Sequence, residues 1–141
     1  MGVGECAGEV VPFVEMGLAA SEREVFEAQL FFDAGDLDQA KQMAYRAMLT
    51  AAKALVKTEW LDVPDDADRI VNEFRTRFHE TKRFHDKFAG PKFANYLFAA
   101  HEVTGNGGRQ DQAKQRVQEA QLFIEAAYAC YEKMSTTGVP A

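Results

Sequence analysis

The sequence lacks the features of several large protein classes. Its 141 residues contain two cysteines, Cys6 and Cys130, and a pair so far apart builds neither a disulfide framework nor a zinc site. No apolar run approaches the roughly 18 residues that a membrane-spanning helix requires. The N-terminus, MGVGECAGEV, is acidic and glycine-rich and lacks the basic start and apolar centre of a signal peptide. We therefore expect reduced thiols and a cytoplasmic protein.

Motifs for metals and cofactors are also missing. A di-iron bundle needs Glu-x-x-His pairs, and none of His79, His85 and His101 has an acidic residue three positions before it. No glycine-rich loop follows a strand pattern, which excludes a P-loop or a dinucleotide fingerprint. Cys130, flanked by an alanine and a tyrosine, is interpreted as a packing residue, although spacing alone leaves a catalytic Cys–His pair open. We expect no metal, no cofactor and no catalytic residue.

What the sequence contains in quantity is helical periodicity. Ser21 and Glu24 form a capping-box pattern, so the first long helix is predicted to begin there, after a ragged, glycine-rich lead-in. Gly35 is predicted to end this helix and Asp36 to cap a second one, which gives an antiparallel hairpin. The second helix carries an alanine-rich buried stripe that comprises Leu37, Ala40, Ala44, Ala47, Ala51, Ala54 and Leu55, with Met48 at its margin.

Three further helices are predicted after the hairpin. Asp65 or Asp66 starts the third, and Gly90 and Pro91 interrupt the chain before a shorter fourth. The last helix has apolar residues spaced alternately by four and three, namely Ala113, Val117, Ala120, Ile124, Ala127, Tyr131 and Met134. No alternating run of β-branched residues indicates a sheet. We predict an all-α, up-and-down bundle of about five helices.

The chain is expected to divide into three segments. Residues 1–20 form an N-terminal lead-in or the remnant of a preceding region, residues 21–134 form the helical bundle domain, and residues 135–141 form a flexible tail. A flexible GNGG loop at 105–108 precedes the last helix. One alternative for the hairpin is a tetratricopeptide helix pair with a peptide groove, but no second copy follows at the period of about 34 residues that such repeats have.

One stretch, RTRFHETKRFHDKF at residues 75–88, concentrates positive charge in a chain of net charge −6. On a continuous helix, the inner face would carry Phe74, Phe78, Thr81, His85 and Phe88, and the outer face would carry Arg75, His79, Lys82 and Arg83, with Arg77 at the boundary. We expect the outer group to form a solvated basic face. The alternative is a site for an anion or an acidic partner.

The inner boundary of this stretch offers a candidate phosphate or nucleotide site. An arginine fork pairs two phosphate oxygens, and a histidine acts as acid or base near neutral pH. His85 shares the face of the phenylalanines, and Arg77 at the boundary reaches toward it. The candidate residues are Arg77, Lys82, His85, Lys87 and Lys92.

Several segments resemble a known family. The hairpin AQLFFDAGDLDQAKQMAYRAMLTAAKAL resembles that of HEPN superfamily bundles. RFHDKFAGPKFANYLFAAHE and the final helix are similar to the HEPN-like domain at the C-terminus of some ferredoxin-type nitrite/sulfite reductase proteins. GVGECAGEVV is similar to the segment where such a reductase region ends. The resemblance covers roughly residues 20–134 and implies nucleotide or RNA handling, often as a dimer.

Two departures from the family limit what the resemblance implies. Its ribonucleases have an arginine and a histidine separated by four to six residues, whereas three residues separate Arg75 from His79 and seven separate Arg77 from His85. A sirohaem and iron–sulfur centre needs four cysteine ligands, so any reductase activity would belong to another region. We therefore predict a non-catalytic interaction or assembly domain, which forms a homodimer or binds the rest of a larger redox protein. The alternative is a nucleotide- or RNA-binding module with weak ribonuclease activity.

Overall fold

The computed structural model describes the backbone of residues 2–102 and 110–137 and the side chains of residues 12–102 and 110–134. Over these ranges the chain forms five α-helices and no strand. The helices are α1 (Gly2–Asp33), α2 (Leu37–Val56), α3 (Ala67–Phe74), α4 (Lys92–Glu102) and α5 (Gln110–Thr137). The predicted all-α bundle of about five helices is confirmed. The GNGG loop at 105–108 and residues 138–141 of the tail lie outside the described residues. None of the described helices combines the length and the hydropathy needed to span a bilayer.

Helix α1 begins at Gly2 and continues through Pro12, so the predicted helix start at Ser21 after a ragged lead-in is wrong. The Ser21 hydroxyl donates to the carbonyl of Leu18 at 2.6 Å, inside the helix, and this bond satisfies a serine without ending a helix. Val14, Leu18 and Ser21 are fully buried. Burial of this face stabilises the helix on both sides of Ser21, because tertiary packing supplies most helical stability in proteins. That residues 1–20 are the remnant of a preceding region stays a prediction.

The turn between α1 and α2 forms as predicted. Gly35 adopts φ +84°, its amide donates to the carbonyl of Phe32 at 3.0 Å, and the Asp36 amide donates to the carbonyl of Phe31 at 2.9 Å. These two bonds form a Schellman motif, in which glycine takes the left-handed position without steric cost. The Asp36 carboxylate then accepts from the amide of Gln39 and caps α2.

The alanine stripe of α2 is the centre of the bundle. Its alanines, together with Leu55 and Met48, are almost completely buried. Small side chains let α1 come close, and Gly17 of α1 lies directly over Ala54. Helix α5 packs against both α1 and α2 and buries most of its predicted stripe, as well as Phe123, which the spacing pattern had not included.

The helical prediction for residues 75–88 is wrong beyond His79. Asp66 caps α3, as predicted, and the helix continues as a π-helical segment, Arg75–His79. The amide of Glu80 then donates to the carbonyl of Arg75 at 2.8 Å, and the chain leaves the helix. Phe74 and Phe78 are buried as predicted, but beyond them Phe84 enters the core, where it is 3% exposed, while Phe88, predicted for the inner face, is 91% exposed.

We expect Gly17→Ala to destabilise the fold by about 1–3 kcal/mol, the usual cost of overpacking, although alanine is the better helix former by about 1 kcal/mol. A Cβ at residue 17 would lie 2.8 Å from the Cβ of Ala54, which is fixed to its own backbone and cannot turn away. Chemical denaturation measures the change. In the Ala54→Gly background the same substitution should stabilise, because the contact is gone. A gain in stability in the unaltered background would contradict the close approach of α1 and α2.

Candidate functional site

The five candidate residues lie in four places, so they do not form one site. Arg77 lies among carboxylates, where its guanidinium contacts the chain that follows α2. His85 and Lys87 line a pocket against α5. Lys82 occupies a left-handed turn with φ +62°, and Lys92 begins α4. Neither of these two lysines lines the pocket.

Arg77 and its neighbours form an arginine–glutamate cluster, which we define as Arg69, Arg77, Arg83, Glu59 and Glu73. Arg77 donates from Nε to Glu73 at 2.7 Å and from Nη1 to Glu59 at 3.0 Å. The second Glu59 oxygen accepts from Arg83, and Arg69 lies 3.6 Å from Glu73. The Trp60 ring lies beneath the guanidinium groups of Arg69 and Arg77, at 5.1 and 5.8 Å. Two carboxylates therefore compensate most of the positive charge that the three arginines carry.

The predicted solvated basic face is wrong for two of its four residues, Arg75 and His79, which are only partly exposed, and holds for the exposed Lys82 and Arg83. The Arg75 guanidinium stacks over the Phe98 ring at 4.4 Å, and His79 meets the same ring edge-on at 5.0 Å. Arg83 is bound to Glu59. Of these four residues, Lys82 alone is exposed and forms no ion pair within the described part of the chain. The helical wheel failed here because it assumed a straight helix and could not include partners from other elements.

A pocket of about 200 Å³ lies between the loop after α3 and the C-terminal half of α5. Phe93, Ala126 and Ala129 supply apolar walls, and Cys130 lies beside them. The charged and titratable residues around it are Arg83, His85, Asp86, Lys87 and Lys133. The pocket joins an apolar interior to a predominantly basic rim.

The loop wall of this pocket is held by a compact set of hydrogen bonds. The Asp86 Oδ2 atom accepts from the amides of Phe88 and Ala89, at 2.8 and 2.7 Å, and these bonds hold the pKa of Asp86 below its usual range. Asp86 and Gly90 exchange two backbone hydrogen bonds of 2.9 Å each. Gly90 has φ +63°, a conformation that favours glycine. The turn therefore displays Phe88 to solvent in a fixed geometry.

Cys130 carries the one thiol within the described side chains, and it is buried against the pocket. Its Sγ donates to the carbonyl of Arg83 at 3.5 Å and lies 4.0 Å from the Met134 sulfur. Burial raises the pKa of Cys130 to about 11, against the opposing effect of Arg83 and Lys133. Since the thiolate is the nucleophilic form, this raised pKa does not favour a catalytic Cys–His pair at Cys130.

A hydrogen-bonded chain of Tyr45, His101 and Asp68 connects three helices. Tyr45 Oη lies 2.7 Å from His101 Nδ1, and His101 Nε2 lies 2.8 Å from the Asp68 carboxylate. A neutral imidazole with its proton on Nε2 satisfies both contacts, because it accepts from the tyrosine and donates to the aspartate. Burial and the nearby Asp68 raise the pKa of Tyr45. The raised pKa disfavours the phenolate. The three hydrogen-bonded side chains therefore serve to connect α2, α3 and α4.

The sequence contains no local signal for these partners. Glu59 and Trp60 stand in a turn, and Tyr45 is separated from His101 by 56 positions, so neither periodicity nor spacing connects them to the basic stretch. Within the part of the chain that the structure describes, no group of three or more histidine, cysteine, aspartate or glutamate side chains is arranged to hold a metal ion. No protein-family model matches the chain, and no curated protein matches it. The HEPN resemblance therefore stays a prediction.

We expect the alkylation rate of Cys130 to keep rising with pH up to about 11. An ordinary exposed thiol, with a pKa of about 8.5, is almost fully ionised by about pH 9.5 and its rate levels off there. Burial raises the pKa of Cys130 to about 11, so its deprotonation, and with it the alkylation, requires a higher pH. The measurement uses iodoacetamide and a Cys6→Ser variant, in which Cys130 is the remaining thiol. A rate that levels off near pH 9 would contradict the burial of this group.

Proposed function

We propose that this chain is a non-catalytic, HEPN-like assembly domain that pairs with a second copy through the outward face of α1. The resemblance to the C-terminal domain of nitrite/sulfite reductase proteins supports an accessory role beside a redox protein. The chemistry of the site supports the non-catalytic part, because the arginines are bound to carboxylates and burial raises the pKa of the Cys130 thiol. The observation that carries the proposal is the exposed apolar seam on α1.

The seam lies opposite the buried face of α1. Val14, Ser21 and Ala28 are completely buried at intervals of seven residues. On the other side, Met16 is 65%, Phe26 64% and Leu30 51% exposed. With the residues between them they follow the three-and-four spacing of a helix-pairing seam, which consists of Met16, Ala19, Arg23, Phe26 and Leu30.

Helices α2 and α5 flank the seam without covering it. On one side, Glu24 forms an ion pair with Arg46 of α2 at 3.0 Å. On the other side, burial and a hydrogen bond to the Glu22 carboxylate raise the pKa of Tyr128 of α5 to about 12. The exposed seam thus runs along the ridge of α1 and is open to a long helix laid against it.

An antiparallel second copy complements the four residues of this seam from Ala19 to Leu30. With Arg23 placed opposite the partner's Phe26, the two-fold axis also sets Ala19 opposite the partner's Leu30. A large side chain then meets a small one, and each guanidinium lies on a ring, an attractive cation–π contact. Such an interface is isologous and closes at two subunits. Because glutamates 22 and 27 face Gln29 and Ala20 in this register, no acidic pair is forced together.

We expect the wild-type chain to show a monomer–dimer equilibrium in sedimentation experiments, and Phe26→Ser with Leu30→Ser to raise the dissociation constant at least tenfold. The double variant removes apolar area that only the pairing buries, and tenfold corresponds to about 1.4 kcal/mol. The matched control is Phe88→Ser, which removes a phenylalanine that is more exposed still and lies off the seam. It should leave the equilibrium unchanged.

Two results would count against the pairing. A wild-type chain that stays monomeric at about 1 mM, where even an association of about −4 kcal/mol is half complete, would exclude a second copy as the occupant. If Phe88→Ser weakened dimerisation as much as the seam variant does, association would not be specific to the seam. Far-ultraviolet circular dichroism of each variant establishes that the fold is kept, since both altered positions of the seam are exposed.

The exposure of Phe88 favours single-stranded RNA or nucleotide binding as a second candidate function. Its ring is 91% exposed, at the tip of a hydrogen-bonded turn, with the Lys87 ammonium 5.7 Å from its centre. Aromatic rings on which bases stack, next to lysines that contact phosphates, are the usual elements of single-strand binding. Of the other candidate lysines, Lys82 lies on the same loop and Lys92 lies at its end, where α4 begins.

For this second candidate we expect binding of a labelled oligouridine at low salt that weakens steeply as salt rises, because each phosphate contact releases counterions. Phe88→Ala should weaken binding by about 1–3 kcal/mol, the value of one stacked base. Fluorescence anisotropy measures both effects. Phe26→Ala serves as the matched control and should bind as the wild type does. Undetectable binding at low salt would remove this function.

A further inference from the structure

The pocket between the loop and α5 has well-packed walls and a small apolar interior. Ala126 and Ala129 project only methyl groups from α5, and this leaves the space that the loop does not fill. Opposite them, Phe84 fixes the loop in the core by contacts with Phe74 and Phe123, with ring centroids 5.0 and 4.9 Å apart. A site whose walls are already ordered loses little entropy when a ligand enters.

The volume limits the occupant to a single ring or a branched chain. An apolar cavity of about 150 Å³ holds a benzene ring, whereas pockets for drug-sized ligands begin at about 300 Å³. At about 200 Å³, this pocket receives one ring-sized group with little room to spare. A whole nucleotide, with base, sugar and phosphate, exceeds it.

The charges at the rim select for a negative group beside that ring. Arg83, Lys87 and Lys133 line the pocket, against a single carboxylate, that of Asp86. Asp86 directs one of its oxygens to two backbone amides. Lys87 contacts the Phe88 ring and forms no ion pair among the described residues. A carboxylate at the rim would therefore meet a cation that has no anionic partner within that part of the chain.

We propose that this pocket binds a ring-sized apolar group that carries an adjoining carboxylate, with the ring against Phe93, Ala126 and Ala129 and the carboxylate at Lys87. Two sources supply this chemistry: a free aromatic carboxylate, or an aromatic side chain flanked by acidic residues in a peptide. The site is separate from the seam on α1, so it stands or falls independently of the dimer.

The test is a titration of the full-length, isotope-labelled chain with phenylacetate, followed by amide chemical shifts. We expect saturable shifts of residues 83–87 and 126–133. Acetate has the charge without the ring, and phenethylamine has the ring with the opposite charge. Both should bind at least tenfold more weakly than phenylacetate. The proposal is overturned if phenethylamine binds as tightly as phenylacetate. It is also overturned if neither phenylacetate nor the peptide described below causes saturable shifts.

Matched variants assign the binding to this pocket. Ala129→Trp fills it and should abolish the shifts, while Ala99→Trp places the same side chain on an exposed position of α4 and should leave them. Lys87→Ala should raise the dissociation constant about tenfold, as the loss of one charge-assisted contact does. Its control is Lys114→Ala, twelve positions before Ala126 on α5 and about 18 Å along the helix. Shifts that persist in Ala129→Trp place the ligand elsewhere and contradict the site.

A second probe separates the two sources. The acetylated, amidated tripeptide Asp-Phe-Asp presents the same ring between two carboxylates, and its amides extend beyond the pocket. Tighter binding of the tripeptide than of phenylacetate assigns the site to an acidic protein segment. Tighter binding of phenylacetate assigns it to a small-molecule carboxylate. Either assignment holds only if the binding is lost in the Ala129→Trp variant. If the tripeptide still binds to that variant, the proposal is overturned.

Discussion

The burial of Phe84 between Phe74 and Phe123 determines the path of the chain from α3 to α4. For this ring to enter the core, the helix must end after His79, which it does through the π-helical segment and the left-handed residue Lys82. The turn that follows has no core to enter, so it displays Phe88 to solvent. The pocket against α5 and the exposed ring on the loop thus share one cause. A continuous helix would have produced neither.

The arginine–glutamate cluster shows why a basic stretch of sequence is not a basic surface. Glu59 binds Arg77 and Arg83, which follow it by 18 and 24 positions, and the two arginines converge on it because the chain turns between them. These ion pairs are partly solvated, so their contribution to stability is small. Their effect on the local potential is larger, because a guanidinium bound to carboxylates attracts a phosphate less. The unpaired lysines on the loop then carry most of the remaining positive field.

The sequence was a good guide to helices and a poor one to the site. Gly35, Asp36 and Asp66 act at helix ends through local hydrogen bonds with neighbours in sequence, and these were predicted. The part of α1 that directly precedes Ser21 was missed because it is held by the burial of Val14 and Leu18, a tertiary effect that the capping pattern does not show. The site depends on contacts between distant residues and on one helix ending early, and neither has a periodicity to detect.

Magnitudes indicate what kind of dimer the α1 seam can form. Full burial of one large apolar side chain contributes roughly 1.5–3 kcal/mol, and Met16, Phe26 and Leu30 are each a little over half exposed. Six such side chains, three from each copy, would therefore contribute about 5–10 kcal/mol. Association costs an estimated 4–15 kcal/mol of translational and rotational freedom. Because these two terms are of similar size, the seam alone supports a weak, concentration-dependent pair.

Two domains held on one larger assembly would pair far more readily, since linkage replaces free concentration with an effective one. The proposed accessory role and the modest strength of the seam are consistent with each other for this reason.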